Sequence, residues 1–517
     1  MPVRKELSLF LLIMVLAAGL RLAGMTFDSL WLDESYQTMA SASGRIPPVF
    51  QEIPASAFTF QFGTPADLSE VMRNFRIVDP LCPPLYQIIL NRWMHLFGSG
   101  DLAVRLPSAL LSLLAIALLY LIGRSAVSSQ AAILACLFMA VSPFDIYYAQ
   151  EARMYSLVVL ASVASSGAML LSMKLSAGRG LTGKLALTLG AYSLSTWALI
   201  NSHYTGLFVV AFQVLFILAC TIRHRSFKLI GAFSLSWVLV LLIWLPWLDL
   251  FRQAAAIRTE SFYVARQPTW WWPAWALAIR IPINWIEFLA GKRVALYAIP
   301  LYLTSAALIV SALFPPKSLS DKGKDKSTGS NLGFFWSWAM VPSLVLLAID
   351  IFENHKVIEI PRYLIGTAPA IYMLCGAGTA WLTGRYGFTY VLIAVHSAFA
   401  LINNSYAHLV PQREPWRQMA QLAEMHVGRD DLLVVSQPYN IVCLDRYLSR
   451  PLRQVGASPA QGRQHLENLL ACCDRFWLIT AQEGEGMVTM IPPRFQVASR
   501  IDLPRGLHLR LFTSRDR

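Results

Sequence analysis

Charge is scarce in this sequence. Asp, Glu, Lys and Arg make up 14% of its 517 residues against 56% hydrophobic, with a mean hydropathy of +0.50. That balance excludes a water-soluble globular chain and implies an integral membrane protein. No paired His and carboxylate motif occurs at tight helical spacing, and the seven cysteines follow no zinc pattern. A divalent cation is left open, with no metal-binding residue assigned. Also missing are a convincing internal repeat and a small-x-small cleavage site after the first apolar run, which carries Arg21 near its end. That run reads as an uncleaved span, not a signal peptide.

The apolar residues fall into about eleven runs, near 7–25, 106–123, 131–146, 155–173, 185–201, 204–222, 228–248, 295–313, 333–350, 363–383 and 386–403. Helices are the only spanning form compatible with such unbroken runs, so the expected fold class is an all-α polytopic membrane protein. Arg124, the clusters at Lys174 to Lys184, Arg223 to Lys228 and Lys317 to Lys326, and Arg385 fall on the side of the N-terminus. An excess of basic residues marks the cytoplasmic side. The external basic residues suit lipid phosphates, and nucleic acid is excluded as a partner. The count holds only if "CPPLYQIILNRWMHLF" (82–97) does not cross. We read it as an amphipathic surface helix within a long external loop of residues 26–105.

The transmembrane domain is expected to occupy residues 1–403, with a polar cytoplasmic linker at 315–331, and residues 404–517 to form a small extracytoplasmic α/β domain. In the latter, "WRQMAQLAEMH" reads as an amphipathic helix, "DLLVVS" and "RFWLIT" as buried strands, and "RIDLPRGLHLRLF" as a hairpin turning at Arg505 and Gly506. Cys443 with Cys472 or Cys473 is a candidate bridge, and Trp270, Trp271 and Trp272 an interfacial aromatic belt.

Ionisable residues gather at the external ends of several spans: Asp33 and Glu34 after the first, Arg105 opening the second, "SPFDIYYAQEARMYS" (142–156), "NSHYTG" (201–206) and "EIPRYL" (359–364). A charge at the bilayer edge must be paired or face water, so the gathering suggests a shared polar cavity. Each member also has a plain reading. Asp33 and Glu34 suit the first turn of a helix, Arg105 and Arg153 suit snorkelling anchors, and His203 with Tyr204 suits an aromatic interface pair.

The succession W-L-D-E, P-P-L-Y, R-L-P-S-A-L, Y-Y-A-Q-E-A-R-M-Y, H-Y, W-L-P-W-L and P-R-Y-L closely resembles bacterial membrane glycosyltransferases related to the protein O-mannosyltransferases and the lipid A aminoarabinose transferases. The resemblance covers roughly residues 7–385. It implies the GT-C fold, a bacterial inner-membrane location, a polyprenyl-phosphate sugar donor and transfer on the external face to a lipid, glycan or protein. It matches Asp33 to the catalytic base, Glu34 to its neighbour, and Arg105 and Arg153 to arginines near the donor phosphate. His203 and Arg362 join the expected donor set, with Gln150, Glu151 and Tyr155 as acceptor or supporting residues. In relatives the residue before P-P is often basic or His, whereas here it is Cys82.

Chemistry agrees with this reading. Sugar transfer from a phosphate needs a base for the acceptor hydroxyl and positive charge for the leaving phosphate. A carboxylate and arginines supply both, and a single displacement inverts the anomeric carbon. The residues do not decide between Asp33 and Glu34 as base; Asp33 is favoured. A transporter or flippase of lipid-linked or anionic substrates is the competing reading, but charges gathered at one face favour chemistry over passage.

Overall fold

The computed structural model describes residues 3–42, 65–78, 82–176, 182–225, 227–249, 252, 277–291, 298–313, 327–353 and 355–515. Within them every apolar run is helical: α1 (Val3–Leu22), then, after α2 (Leu32–Ala42), α3 (Leu68–Val78) and α4 (Leu85–Phe97), α5 (Asp101–Ala126), α6 (Ser129–Val141) with α7 (Pro143–Ala149), α8 (Tyr155–Ser176), α9 (Gly183–Ser202), α10 (Gly206–His224) and α11 (Phe227–Trp244), followed by helices Ile299–Ala312, Ser327–Phe352, Ala368–Thr383 and Phe388–Ala407. Among the described residues, seven helical stretches are long and apolar enough to cross a membrane, eight if the bent pair α6 and α7 counts as one. Helix α4 has only 13 residues. At about 1.5 Å per residue it is too short to cross a bilayer core. Helix Ser327–Phe352 starts inside the stretch read as a linker. Residues 315–326 and Trp270, Trp271 and Trp272 lie outside the described residues.

The chain divides into two compact units, and the division is not a single cut near residue 404. The first comprises residues 1–23, 80–86 and 106–405; the second comprises 24–79, 87–105 and 406–517.

In the first unit, α6 and α7 meet at an angle of 62°. Pro143 at the start of α7 has no N–H to offer the preceding turn, so the last carbonyls of α6 lose their helical donors. Remote side chains replace them. Arg21, fully buried, donates to Met139 O at 3.1 Å and Ala140 O at 3.0 Å, and Asn404 donates to Val141 O at 3.0 Å. Ser142 Oγ then caps α7 by accepting from the Asp145 N–H at 3.2 Å. Without water, each such carbonyl needs a partner inside the protein.

The second unit holds a five-stranded sheet in the order β2-β1-β3-β5-β4, built from β1 (Leu432–Ser436), β2 (Gln454–Ala457), β3 (Arg475–Thr480), β4 (Phe495–Leu503) and β5 (Leu507–Ser514). The first three strands run parallel; β5 is antiparallel to β3 and β4. The expected helix is Trp416–His426, and the hairpin turns at Pro504–Gly506, with Arg505 at φ 64°. One face of the sheet buries Leu433, Val435, Trp477 and Ile479 with Trp416, Met419 and Met39 of α2. Thus a helix from the first loop completes the core of the C-terminal domain. Cys443, Cys472 and Cys473 form no disulfide, and burial raises the Cys443 thiol pKa well above its ordinary value.

Candidate active site

Asp33 and Glu34 lie in the first turn of α2. Trp31 caps this helix: its carbonyl accepts from the Ser35 N–H at 2.9 Å, and Glu34 Oε2 reaches back to the Trp31 N–H at 3.4 Å. The second contact is the acidic half of a capping box. Glu34 is fully buried and Asp33 half-buried, so the two neighbours have different environments.

Arg105 surrounds Glu34 with a bidentate fork, Nε to Oε1 at 2.8 Å and Nη2 to Oε2 at 2.7 Å. Its remaining donors go to the backbone: Nη1 to Met25 O at 2.6 Å and Asp28 O at 2.9 Å, and Nη2 to Ser29 O at 3.1 Å. Every N–H of the guanidinium is thereby used. The donors expected to meet a phosphate are thus directed at Glu34 and at the turn of residues 25–29. A second guanidinium, Arg413, donates to Glu34 Oε2 and lies over the Trp31 ring, 5.6 Å from its centroid. Asp28 accepts from the Gln412 N–H at 3.0 Å. Burial raises the Asp28 carboxyl pKa, opposed by that hydrogen bond and by the positive charges of Arg413 and Arg105.

A second acid in the same unit gathers further arginines. Asp101 accepts from Arg417 at 2.7 Å, Arg446 at 3.0 Å and the Tyr447 hydroxyl at 2.7 Å. The Tyr447 oxygen also accepts the Leu30 N–H at 2.7 Å. Nearby, Pro107 inside α5 leaves Ala103 O without its helical donor; Trp93 Nε1 supplies one at 2.9 Å.

The other expected site residues lie in the first unit. Glu151 and Arg153 are buried in the tight turn between α7 and α8, where the Arg153 N–H donates to Glu151 O at 2.7 Å. Ser108 Oγ holds this turn by donating to Arg153 O at 3.0 Å, and lies 2.7 Å from the Tyr86 hydroxyl. Arg153 Nη2 is 4.0 Å from Cys82 Sγ, so the residue before P-P does face this arginine. Gln150 is occupied by the backbone. Its amide nitrogen donates to Leu20 O, Arg21 O and Ala23 O at 3.2, 3.2 and 2.7 Å, tying off the end of α1.

Tyr155, His203 and Arg362 come together. The His203 ring is 6.1 Å from Tyr155 and 5.8 Å from Tyr363, while the Arg362 guanidinium stands 5.9 Å from the Tyr155 centroid and 5.6 Å from that of Tyr363. His203 Nδ1 is engaged with Thr205 Oγ1 at 2.8 Å. A cation among aromatic rings offers charge to a phosphate and flat apolar faces to a sugar ring or prenyl chain. The segment carrying Arg362 is fixed from below: Asp350 accepts the N–H groups of Val357 and Ile358 at 3.0 and 2.6 Å, and Asn284 donates to Ile358 O at 2.9 Å. Asp350 stands out in the apolar run "LVLLAIDIF" and was detectable as an isolated intramembrane acid. Arg413, Arg417 and Arg446 carry no such mark. Among the described residues no group of three His, Cys, Asp or Glu side chains is placed to hold a metal ion.

Residues 82–248 match the family model described as dolichyl-phosphate-mannose-protein mannosyltransferase. No curated protein matches the chain. Solved structures do. ArnT from Cupriavidus metallidurans, bound to undecaprenyl phosphate, aligns over 97% of this chain and 97% of its own at 13% identity, with a TM-score of 0.57. The archaeal oligosaccharyltransferase AglB from Archaeoglobus fulgidus, in complex with an inhibitory peptide and a dolichol-phosphate, aligns over 98% of this chain and 74% of its own at 13% identity and a TM-score of 0.51. The fold of this chain is the GT-C fold of membrane glycosyltransferases, with a small α/β domain at its C-terminal end.

Proposed function

Starting from a GT-C membrane glycosyltransferase fold, we propose that this protein moves a sugar from a polyprenyl-phosphate donor to a hydroxyl acceptor on the external face of a bacterial inner membrane. The donor class rests on the undecaprenyl and dolichol phosphates held by ArnT and AglB, and the orientation on the distribution of basic residues. The acceptor is a lipid, glycan or protein.

The observation that carries the reading is the unequal state of the carboxylate pair. Glu34 accepts from Arg105 and Arg413 in full burial, so its oxygens are taken up by two guanidiniums and are not turned toward an acceptor hydroxyl. Asp33, half-buried beside it, is the base. It takes the acceptor hydroxyl proton as that oxygen attacks the anomeric carbon. The bond from this carbon to the phosphate oxygen breaks, the electron pair leaves with the polyprenyl phosphate, and the configuration inverts. Arg153 and Arg362 stabilise the departing phosphate, Arg362 and His203 lie among rings suited to the donor, and Glu151 holds the turn of Arg153 or meets acceptor hydroxyls.

The direct test is purified protein in vesicles with a panel of polyprenyl-phosphate sugars and envelope acceptors, reading free polyprenyl phosphate and the anomeric configuration of the product. Retention of configuration, or release of no polyprenyl phosphate, rejects the reading. Arg362→Ala is expected to raise the donor KM by about tenfold or more, the worth of one charge-assisted contact, with little change in thermal stability. An unchanged donor KM would remove Arg362 from the donor set.

A further inference from the structure

We propose that Arg413, from the C-terminal domain, is a positioning residue for transfer: it holds Glu34, and through it the first turn of α2 that presents Asp33. This rests on Asp33 being the base. The helix bearing the carboxylates belongs to the C-terminal domain in every physical sense. Met39 lies in the core beneath the sheet, with Leu32 and Tyr36 packed against it. Residues 412–447 also grip the segment before α2. The Gln412 N–H donates to Asp28, the Arg417 N–H to Ser29 Oγ at 3.1 Å, and the Leu30 N–H to Tyr447 at 2.7 Å.

Arg413 is the charged member of this grip. Glu34 and the half-buried Asp28 are two acids, and Arg105 alone supplies one positive charge; Arg413 supplies the second, making a balanced quartet. Without it, the buried Glu34 carboxylate keeps only Arg105, which also serves the backbone of residues 25–29. Loss of the grip allows the turn of α2 to shift. A misplacement of about 1 Å at a reacting group can cost about 10²-fold in rate.

The test uses the full-length protein. Arg413→Met is expected to lower kcat by about 10²-fold with the donor KM unchanged, and to speed hydrogen exchange of the amides at 24–38 by about tenfold while β1 and β3 keep their protection. Arg413→Lys, which keeps the charge without the planar fork, should recover part of kcat and part of the exchange protection at 24–38. Arg500→Ala, which breaks an exposed pair with Asp502 in the same domain, should behave as wild type. Full kcat in Arg413→Met, or unaltered exchange at 24–38, overturns the proposal. A wild-type protein that turns over no polyprenyl-phosphate sugar would defeat the functional reading, and the exchange arm would still decide whether Arg413 fixes the segment.

Discussion

Asp33→Asn should abolish sugar transfer and leave the protein folded. Asparagine keeps the shape of aspartate and suits a helix N-terminus nearly as well, so α2 should start where it does. The buried contacts of Glu34 with Arg105 and Arg413 do not involve Asp33, and they should survive. What is lost, in the proposed mechanism, is the carboxylate oxygen that takes the proton. General-base catalysis supplies about 10²- to 10⁴-fold, so kcat should fall by at least about 10²-fold. Donor affinity, measured by displacement of a labelled polyprenyl phosphate, should stay near wild type. Glu34→Gln makes the contrast. It leaves two buried guanidiniums facing a neutral amide and should lower the melting temperature, whereas Asp33→Asn should not. If Asp33→Asn turns over normally, the base is elsewhere, and the burial of Glu34 does not make it the substitute.

The parts of this molecule that were legible in its sequence are those set by local composition. Each apolar run is a helix because a spanning segment must satisfy its backbone internally, and "DLLVVS" and "RFWLIT" are strands because short β-branched and aromatic runs between charged turns have few other uses. The acid pair was legible because two carboxylates just beyond a span are costly unless used. Partnership was not legible. Glu34 and Arg413 stand 379 residues apart, and nothing in "PQREPW" distinguishes a buried guanidinium from a solvated one. The same holds for Arg105. A cation at the mouth of a span suits a phosphate and a carboxylate equally, and only the positions of Met25, Asp28 and Ser29 carbonyls show which it serves. Likewise "SYQTMASA" is too weakly apolar to announce that Met39 fills the core of a sheet built some 400 residues later. Gln150, in the most specific part of the resemblance, turned out to tie off α1, a backbone role that no side-chain chemistry foretells.

Arg105→Met is the second decisive substitution, and it separates two roles with opposite signatures. A phosphate-binding arginine is held in reserve for the substrate, so its removal raises the donor KM and spares stability. An arginine whose every donor is spent within the chain does the reverse. Methionine fills a similar volume but strands the Glu34 carboxylate with Arg413 as its remaining cation and leaves the carbonyls of Met25, Asp28 and Ser29 without their donors. Breaking a buried pair by removing one partner costs about 3–5 kcal/mol, and each orphaned carbonyl adds about 1 kcal/mol or more. That approaches the whole stability of an ordinary domain, about 5–15 kcal/mol. The expected result is early, independent melting of the C-terminal domain together with residues 24–42, visible as loss of exchange protection in β1 and β3, because Met39 shares their core. A double-mutant cycle with Glu34→Leu should give a large favourable coupling, since the two single losses remove the same interaction. If instead Arg105→Met melts like the wild type and weakens only donor binding, the fork around Glu34 is incidental and Arg105 returns to the phosphate.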